Sequence, residues 1–178
     1  AMYPEEILGK VVIERFGKQF PLLFKFIDAK EDLSIQLHPN DILAKKRHNS
    51  FGKKEMWYVM QADEAARLVV GFKKDSNPSE YLDHLHRKKV VDLLEMHSVK
   101  KGDVFFLETG TIHAIGAGVV VAEIQQTSDV TYRIYDWDRV DAQGNERELH
   151  TDLALEAINY ATTPSKISYT EVPNSAAT

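Results

Sequence analysis

Short runs of β-branched and aromatic residues, each closed by a turn signal, recur along most of this chain and leave little room for any architecture except a sandwich or barrel of strands. The runs cover residues 11–16, 22–27, 33–38, 56–60, 67–72, 104–107, 119–125 and 131–135. Their separators, such as Lys100-Lys101-Gly102-Asp103, are turn formers. Three helical stretches interrupt the pattern. One covers residues 42–48, capped by Asn40 or Asp41; a second follows Asn77-Pro78 with Ser79 as its cap and Tyr81, Leu82 and Leu85 at helical spacing; a third runs from Thr151 to Tyr160. After Thr163-Pro164 the chain turns polar, and residues 172–178 read as a frayed end.

A chain of 178 residues supplies one domain with a sizeable core, and 43% hydrophobic with 28% charged residues excludes disorder and low-complexity architectures. No apolar run approaches the ~20 residues of a membrane helix, so no membrane span is expected. The opening stretch lacks a basic segment followed by an apolar one, so no secretory signal is expected and the expected location is the cytoplasm. There is no cysteine, which eliminates disulfide scaffolds, thiol catalysis, iron–sulfur clusters and thiolate zinc sites together. Any metal must therefore be held by His, Asp, Glu, Gln or backbone oxygen. The net charge of −5 argues against nucleic acid as the main partner, although a local basic cluster can still hold one phosphate group.

In Leu33-Ser34-Ile35-Gln36-Leu37-His38-Pro39, strand alternation turns Ser34, Gln36 and His38 one way and the leucines and isoleucine the other. Gln36 and His38 can thus converge on one ion; a half-buried strand whose polar face meets water is the plainer account. The segment from Gly102 to His113 is a glycine-led turn, an apolar strand, a second turn centred on Gly110, and a histidine entering the next strand. It resembles the second cupin motif, Gly-x5-Pro-x-Gly-x2-His, with Glu108 in the place of proline. A core histidine bonded to a backbone carbonyl is the alternative for His113. Glu55 opens the strongly apolar run Met56-Trp57-Tyr58-Val59, where an unpaired buried carboxylate is expensive and a metal or a lysine resolves the cost. Gln36, His38, Glu55 and His113 together form a mixed nitrogen and oxygen set that suits Zn²⁺, with Mn, Co or Fe also compatible. His84 and His86 stand two apart on a helix, on different faces, and are expected at the surface.

Five ordered blocks resemble the type I mannose-6-phosphate isomerases, particularly the short bacterial form, which are zinc-dependent cupins. The blocks are Phe20-Pro21-Leu22-Leu23-Phe24-Lys25; residues 33–41; Gly52-Lys53-Lys54-Glu55-Met56-Trp57-Tyr58; Gly110-Thr111-Ile112-His113-Ala114; and residues 123–136, which contain Asp129 and Tyr132-Arg133-Ile134-Tyr135. The resemblance implies a mostly β fold, a cupin-type double-stranded β-helix (jelly-roll barrel) with a few short helices. It implies one Zn²⁺ per chain held by Gln36, His38, Glu55 and His113, and Arg133 as the catalytic arginine. It implies interconversion of mannose 6-phosphate and fructose 6-phosphate through an enediol, with Lys53 and Asp129 as candidates for moving the proton. The phosphate-binding groups are not singled out, and Lys45, Lys46 and Arg139 are equally at home on a solvated surface.

The resemblance also implies a small-molecule sugar phosphate as partner and is compatible with a homodimer. Family members are longer at both ends, so residues 1–163 are expected to form a single cupin domain, with 164–178 a tail and the second cupin half absent or truncated. The Ala1-Met2 start reads as a remnant ahead of an initiator methionine. A non-catalytic cupin that binds a sugar or sugar phosphate is the alternative of a different class. An iron cupin oxygenase is a third, disfavoured by Gln36-x-His38 standing where such cupins generally show His-x-His.

Overall fold

The computed structural model describes residues 3–170. In chain order these form α1 (Pro4–Leu8), α2 (Lys10–Phe16), β1 (Leu22–Ala29), β2 (Ile35–Leu37), α3 (Asp41–His48), β3 (Glu55–Ala62), β4 (Arg67–Phe72), α4 (Pro78–His86), a 3₁₀ turn at Val90–Leu93, β5 (Leu94–Ser98), β6 (Val104–Leu107), β7 (His113–Ile115), β8 (Val119–Gln126), β9 (Tyr132–Tyr135), α5 (Thr151–Ala157) and β10 (Lys166–Ile167). Two five-stranded sheets result, one ordered β1-β8-β3-β6-β10 and the other β5-β4-β7-β2-β9. Every named strand pair is antiparallel. The mostly β architecture of two facing antiparallel sheets is the one expected of a cupin jelly roll.

Three local expectations are corrected. Residues 11–16 are helical, not extended: among the described residues no neighbouring strand offers them a ladder, and the backbone closes on itself, with the Gly17 amide donating to the Ile13 carbonyl at 2.8 Å. The cap of α4 is Asn77, whose Oδ1 accepts from the Glu80 amide at 3.0 Å, and Pro78 rather than Ser79 opens the first turn. The last helix stops at Ala157, because Ile158 is extended and the Asn159 amide leaves the helix to reach the Gly110 carbonyl at 3.0 Å. In the stretch expected as a tail, Lys166–Ile167 pair with β6 and extend the first sheet. The expectations for residues 1–2 and 172–178 lie outside the described residues.

Strand alternation divides the molecule into layers. Ile35, Leu37, Val69, Phe72, Tyr132 and Ile134 of the second sheet pack against Tyr81 of α4 and Ala154 of α5. Leu68, Val70 and Ile115, from the opposite face of the same sheet, meet Trp57, Val59, Phe105, Leu107 and Val121 of the first. Each such buried aliphatic or aromatic side chain contributes about 1.5–3 kcal/mol relative to exposure. The second sheet is thus covered on both faces. The outer face of the first sheet is apolar and open, with Phe24 and Phe26 of β1 exposed by 57% and 77%.

The register of the first sheet arranges its inner face in rows. Leu23, Gln125, Glu55 and Leu107 share one row across β1, β8, β3 and β6, and Lys25, Glu123, Trp57 and Phe105 share the next. Further along the strands the row becomes Ile27, Val121 and Val59. The space between the sheets therefore grades from polar at one end to apolar at the other. The polar end is where the predicted site residues collect.

Candidate metal centre and the cleft beside it

His38 leaves the end of β2, Glu55 opens β3 and His113 opens β7, and all three are buried. His38 Nε2 stands 3.3 Å from Glu55 Oε1, and His113 Nε2 stands 3.7 Å from Glu55 Oε2. One ligand atom from each of the three residues falls within 4.8 Å of the others. Among the described residues no other group of three or more such side chains gathers in this way. His84 and His86 take no part in it.

The far nitrogen of each ring is already committed. His38 Nδ1 lies 2.9 Å from the Val130 carbonyl and His113 Nδ1 lies 2.8 Å from the Thr111 carbonyl. A carbonyl only accepts, so each Nδ1 carries the proton and each Nε2 turns a bare lone pair toward Glu55. His38 Nε2, His113 Nε2 and both carboxylate oxygens of Glu55 have no hydrogen-bond partner. Lys53 Nζ approaches Glu55 Oε1 at 3.0 Å, and the burial cost that remains at the two imidazole nitrogens and Glu55 Oε2 is one that a divalent cation would remove. Two imidazole nitrogens and one carboxylate fit a divalent cation such as zinc.

Electrostatics agree with a deprotonated donor set. Burial pushes the Glu55 carboxyl up, but the pull of His38 and His113 in their protonated forms and of Lys53 overrides it and holds the group well below the usual carboxylate range. Burial pushes His113 down to about 3, against the opposing pull of Glu55, so its ring is neutral at ordinary pH. Lys53 is buried, and its Nζ stands 3.0 Å from Glu55 Oε1. This candidate for moving the proton thus faces the cluster.

Gly110 holds the turn that delivers His113. Its φ of +82° lies in the left-handed region, its amide donates to the His38 carbonyl at 2.8 Å, and an added Cβ would stand 2.5 Å from the Ala157 carbonyl. The two imidazole-bearing segments and the end of α5 are tied together through this one residue.

Gln36 pairs directly with His113 on one side and with Arg133 on the other, so the three side chains share a row across β7, β2 and β9. A cavity of about 190 Å³ lies between the sheets, walled by Gln36, Lys53 and His113 and also by Lys25, Trp57 and Glu123. Through Leu33, Ser34 and Gln36 it continues into a groove of about 450 Å³ that carries Arg133, Arg139 and Arg147. Arg133 is half-buried, and burial together with the charge of Arg147 pushes its guanidinium below its ordinary value. Asp129, by contrast, is exposed in the turn between β8 and β9 and lines neither space.

Three wall residues had no role in the sequence reading. Glu123 is buried, accepts from Trp57 Nε1 at 3.1 Å and pairs with Lys25 Nζ at 3.2 Å; Lys25 also donates to Gln125 Oε1 at 2.8 Å. Trp57 meets the His113 ring edge-on with centroids 5.4 Å apart. The available signal was a charge at an alternating position inside an otherwise apolar strand: Lys25 between Phe24 and Phe26, and Glu123 between Ala122 and Ile124.

Comparison with known proteins supplies the remaining context. A family model described as the catalytic domain of type I phosphomannose isomerase matches residues 2–91. The chain is 42% identical over 151 residues to mannose-6-phosphate isomerase ManA of Bacillus subtilis, covering 84% of this chain and 48% of that protein. It is 42% identical over 149 residues to the mannose-6-phosphate isomerase of Streptococcus mutans, with 82% and 47% covered. The crystal structure of the mannose 6-phosphate isomerase from Bacillus subtilis superposes with a TM-score of 0.85 at 35% identity, over 97% of this chain and 55% of that one. The chain thus spans about half the length of the curated relatives it matches.

Proposed function

The chain belongs to the type I phosphomannose isomerase family, and on that premise we propose that it interconverts mannose 6-phosphate and fructose 6-phosphate with one Zn²⁺ bound at His38, Glu55, His113 and Gln36. The observation that carries this reading is the convergence of ligand atoms of His38, Glu55 and His113 at a cavity walled by His113, Lys25, Lys53 and Glu123. Bound there, zinc supplies a Lewis acid for the carbonyl and for the negative charge of the enediolate. Lys53 and Glu123 are the two wall groups that can take the proton from C2 and return it to C1 while the hydroxyl proton passes between O2 and O1. Trp57 and Lys25 hold the Glu123 carboxylate in one orientation for that task. Asp129, outside both spaces, has no part in the transfer.

Arg133 serves as a fixed donor to the developing oxyanion or the adjacent sugar hydroxyls, because its guanidinium stays protonated and cannot itself be the base. Beyond it, Arg139 and Arg147 make the groove the favoured end for the phosphate group. Residues 1–163 form the unit that carries this site in our reading, and a cytoplasmic location belongs to it. Among the described residues no helix is long and apolar enough to cross a membrane. The test is a coupled assay for fructose 6-phosphate on the full chain. Turnover should disappear with chelator and return with Zn²⁺; a chain carrying one zinc with no turnover overturns the isomerase reading and leaves a sugar-phosphate binder.

A further inference from the structure

Arg133 stands on β9, the edge strand of the second sheet, and among the described residues no strand continues the ladder beyond it. Its outward backbone groups are nevertheless paired. The Arg133 amide donates to His150 Nδ1 at 3.1 Å, and the His150 amide donates to the Arg133 carbonyl at 2.7 Å. Two residues earlier, the Glu148 carbonyl accepts from Arg133 Nη1 at 2.9 Å. The segment from 148 to 150 thus clasps the arginine at its backbone and at its head group. Nε approaches Ser34 Oγ at 3.4 Å, and the remaining guanidinium N–H groups are left for the groove.

His150 also stands at the N-cap of α5, where its carbonyl accepts from the Ala154 amide at 2.9 Å. Serine, threonine, aspartate or asparagine would suit that place, because a short oxygen-bearing side chain reaches back to the first free amides of the helix. The histidine makes no such bond. Its ring is spent on Arg133 instead, so the helix start goes uncapped by a side chain while the arginine gains a partner. The helix itself is well anchored: Ala154 is buried against Tyr132 and Ile134, and Arg47 of α3 donates to the Leu153 carbonyl at 3.1 Å and pairs with Glu156. His150 therefore transmits the position of a packed helix to the outward backbone groups of an edge strand that β2 pairs on its other side only.

We infer that His150 is a positioning residue for Arg133, holding the β9 edge so that the guanidinium faces the sugar; the inference rests on the isomerase reading of the cleft. His150→Ser separates this role from a structural one, since serine is a better N-cap than histidine but too short to reach the Arg133 amide. His150→Asn keeps an acceptor oxygen near the place of Nδ1.

The measurements are amide hydrogen exchange by NMR and steady-state kinetics on the zinc-loaded full chain. In His150→Ser, exchange at Arg133 should accelerate at least roughly 10-fold while Ala154 stays protected, and kcat should fall roughly 10-fold or more with zinc content and melting temperature held. His150→Asn should recover much of both. Unchanged exchange at Arg133 overturns the inference, as does accelerated exchange with kcat intact. If the wild-type chain loaded with zinc shows no turnover, it is the isomerase reading that fails, and the exchange experiment alone then decides whether His150 holds Arg133.

Discussion

At one end of the cleft, His38, Glu55 and His113 stand on or next to strands whose neighbours set their register, with Gly110 pinning the turn between them; at the other, Arg133 stands on an edge strand held from outside by residues 148 to 150. The first end is buried, with its ligand atoms turned toward one point. The second is half-open, and its groups are already bonded to backbone carbonyls and to one another. A metal needs donors fixed within a fraction of an ångström, and a packed sheet interior supplies that. In the proposed isomerase role Arg133 meets the sugar and needs access, and it stands at the rim, steadied by an irregular segment. The division teaches that metal binding and turnover are separable by mutation in one direction only.

The largest effect should come from breaking the buried end. His113→Ala removes one of the buried imidazole donors, so zinc content should drop from about one per chain to near zero, beyond the roughly 10- to 100-fold loss of affinity typical of changes to groups supporting a ligand. Turnover should vanish with it; zinc content by metal analysis checks the first half. Arg133→Ala should lower kcat by about 10²–10³-fold, the scale of an oxyanion donor, while zinc content stays at the wild-type level. A parallel loss of zinc in that variant would show the two ends to be one structural unit.

Acidification should sharpen the contrast in the metal-free chain. The His113 pKa is about 3 in the folded state against 6.5 for the free side chain, so below pH 6.5 the unfolded chain takes up a proton that the fold refuses. Stability then falls as pH falls, by on the order of 2 kcal/mol between pH 6.5 and 5 from this group. Glu55, held below its ordinary value, acts in the same sense at lower pH, because its contribution is present above the unfolded value and lost on descent. The guanidinium of Arg133 keeps its charge throughout. Denaturant unfolding of chelated and zinc-loaded protein at the two pH values measures this, and equal stability at both would contradict it.

The smallest effect is reserved for the wall between the ends. Trp57→Phe keeps the ring against His113 but removes the donor to Glu123, and should cost about 1–2 kcal/mol of stability with only a few-fold change in kcat. Denaturant midpoints with unchanged slope would register it. A variant as stable as wild type would show that Glu123 finds another donor.

Residues whose role depends on local pattern could be read from the chain alone. Alternation placed Gln36 and His38 on one face, the run after Glu55 gave the carboxylate its cost, and the Gly110 turn delivered His113; the structure brings these segments together. Roles that depend on long-range pairing were hidden. Lys25 and Glu123 are 98 residues apart and become neighbours only through the β1–β8 register, and the clasp from His150 is invisible without knowing that β9 is an edge. The helix at Lys10–Phe16 misled because β-branched residues signal a strand only when a partner strand exists to pair with. Asn77 and Ser79 are both good caps, and only the position of Pro78 within the first turn favours the former.

A crystal of the zinc-loaded chain examined at the zinc absorption edge tests for a cation at the buried end. One anomalous peak is expected at about 2.0–2.2 Å from His38 Nε2, His113 Nε2 and a Glu55 oxygen, with the Gln36 side chain completing the set on the Arg133 side. A peak elsewhere, or none at this cluster with zinc in excess, would contradict the account.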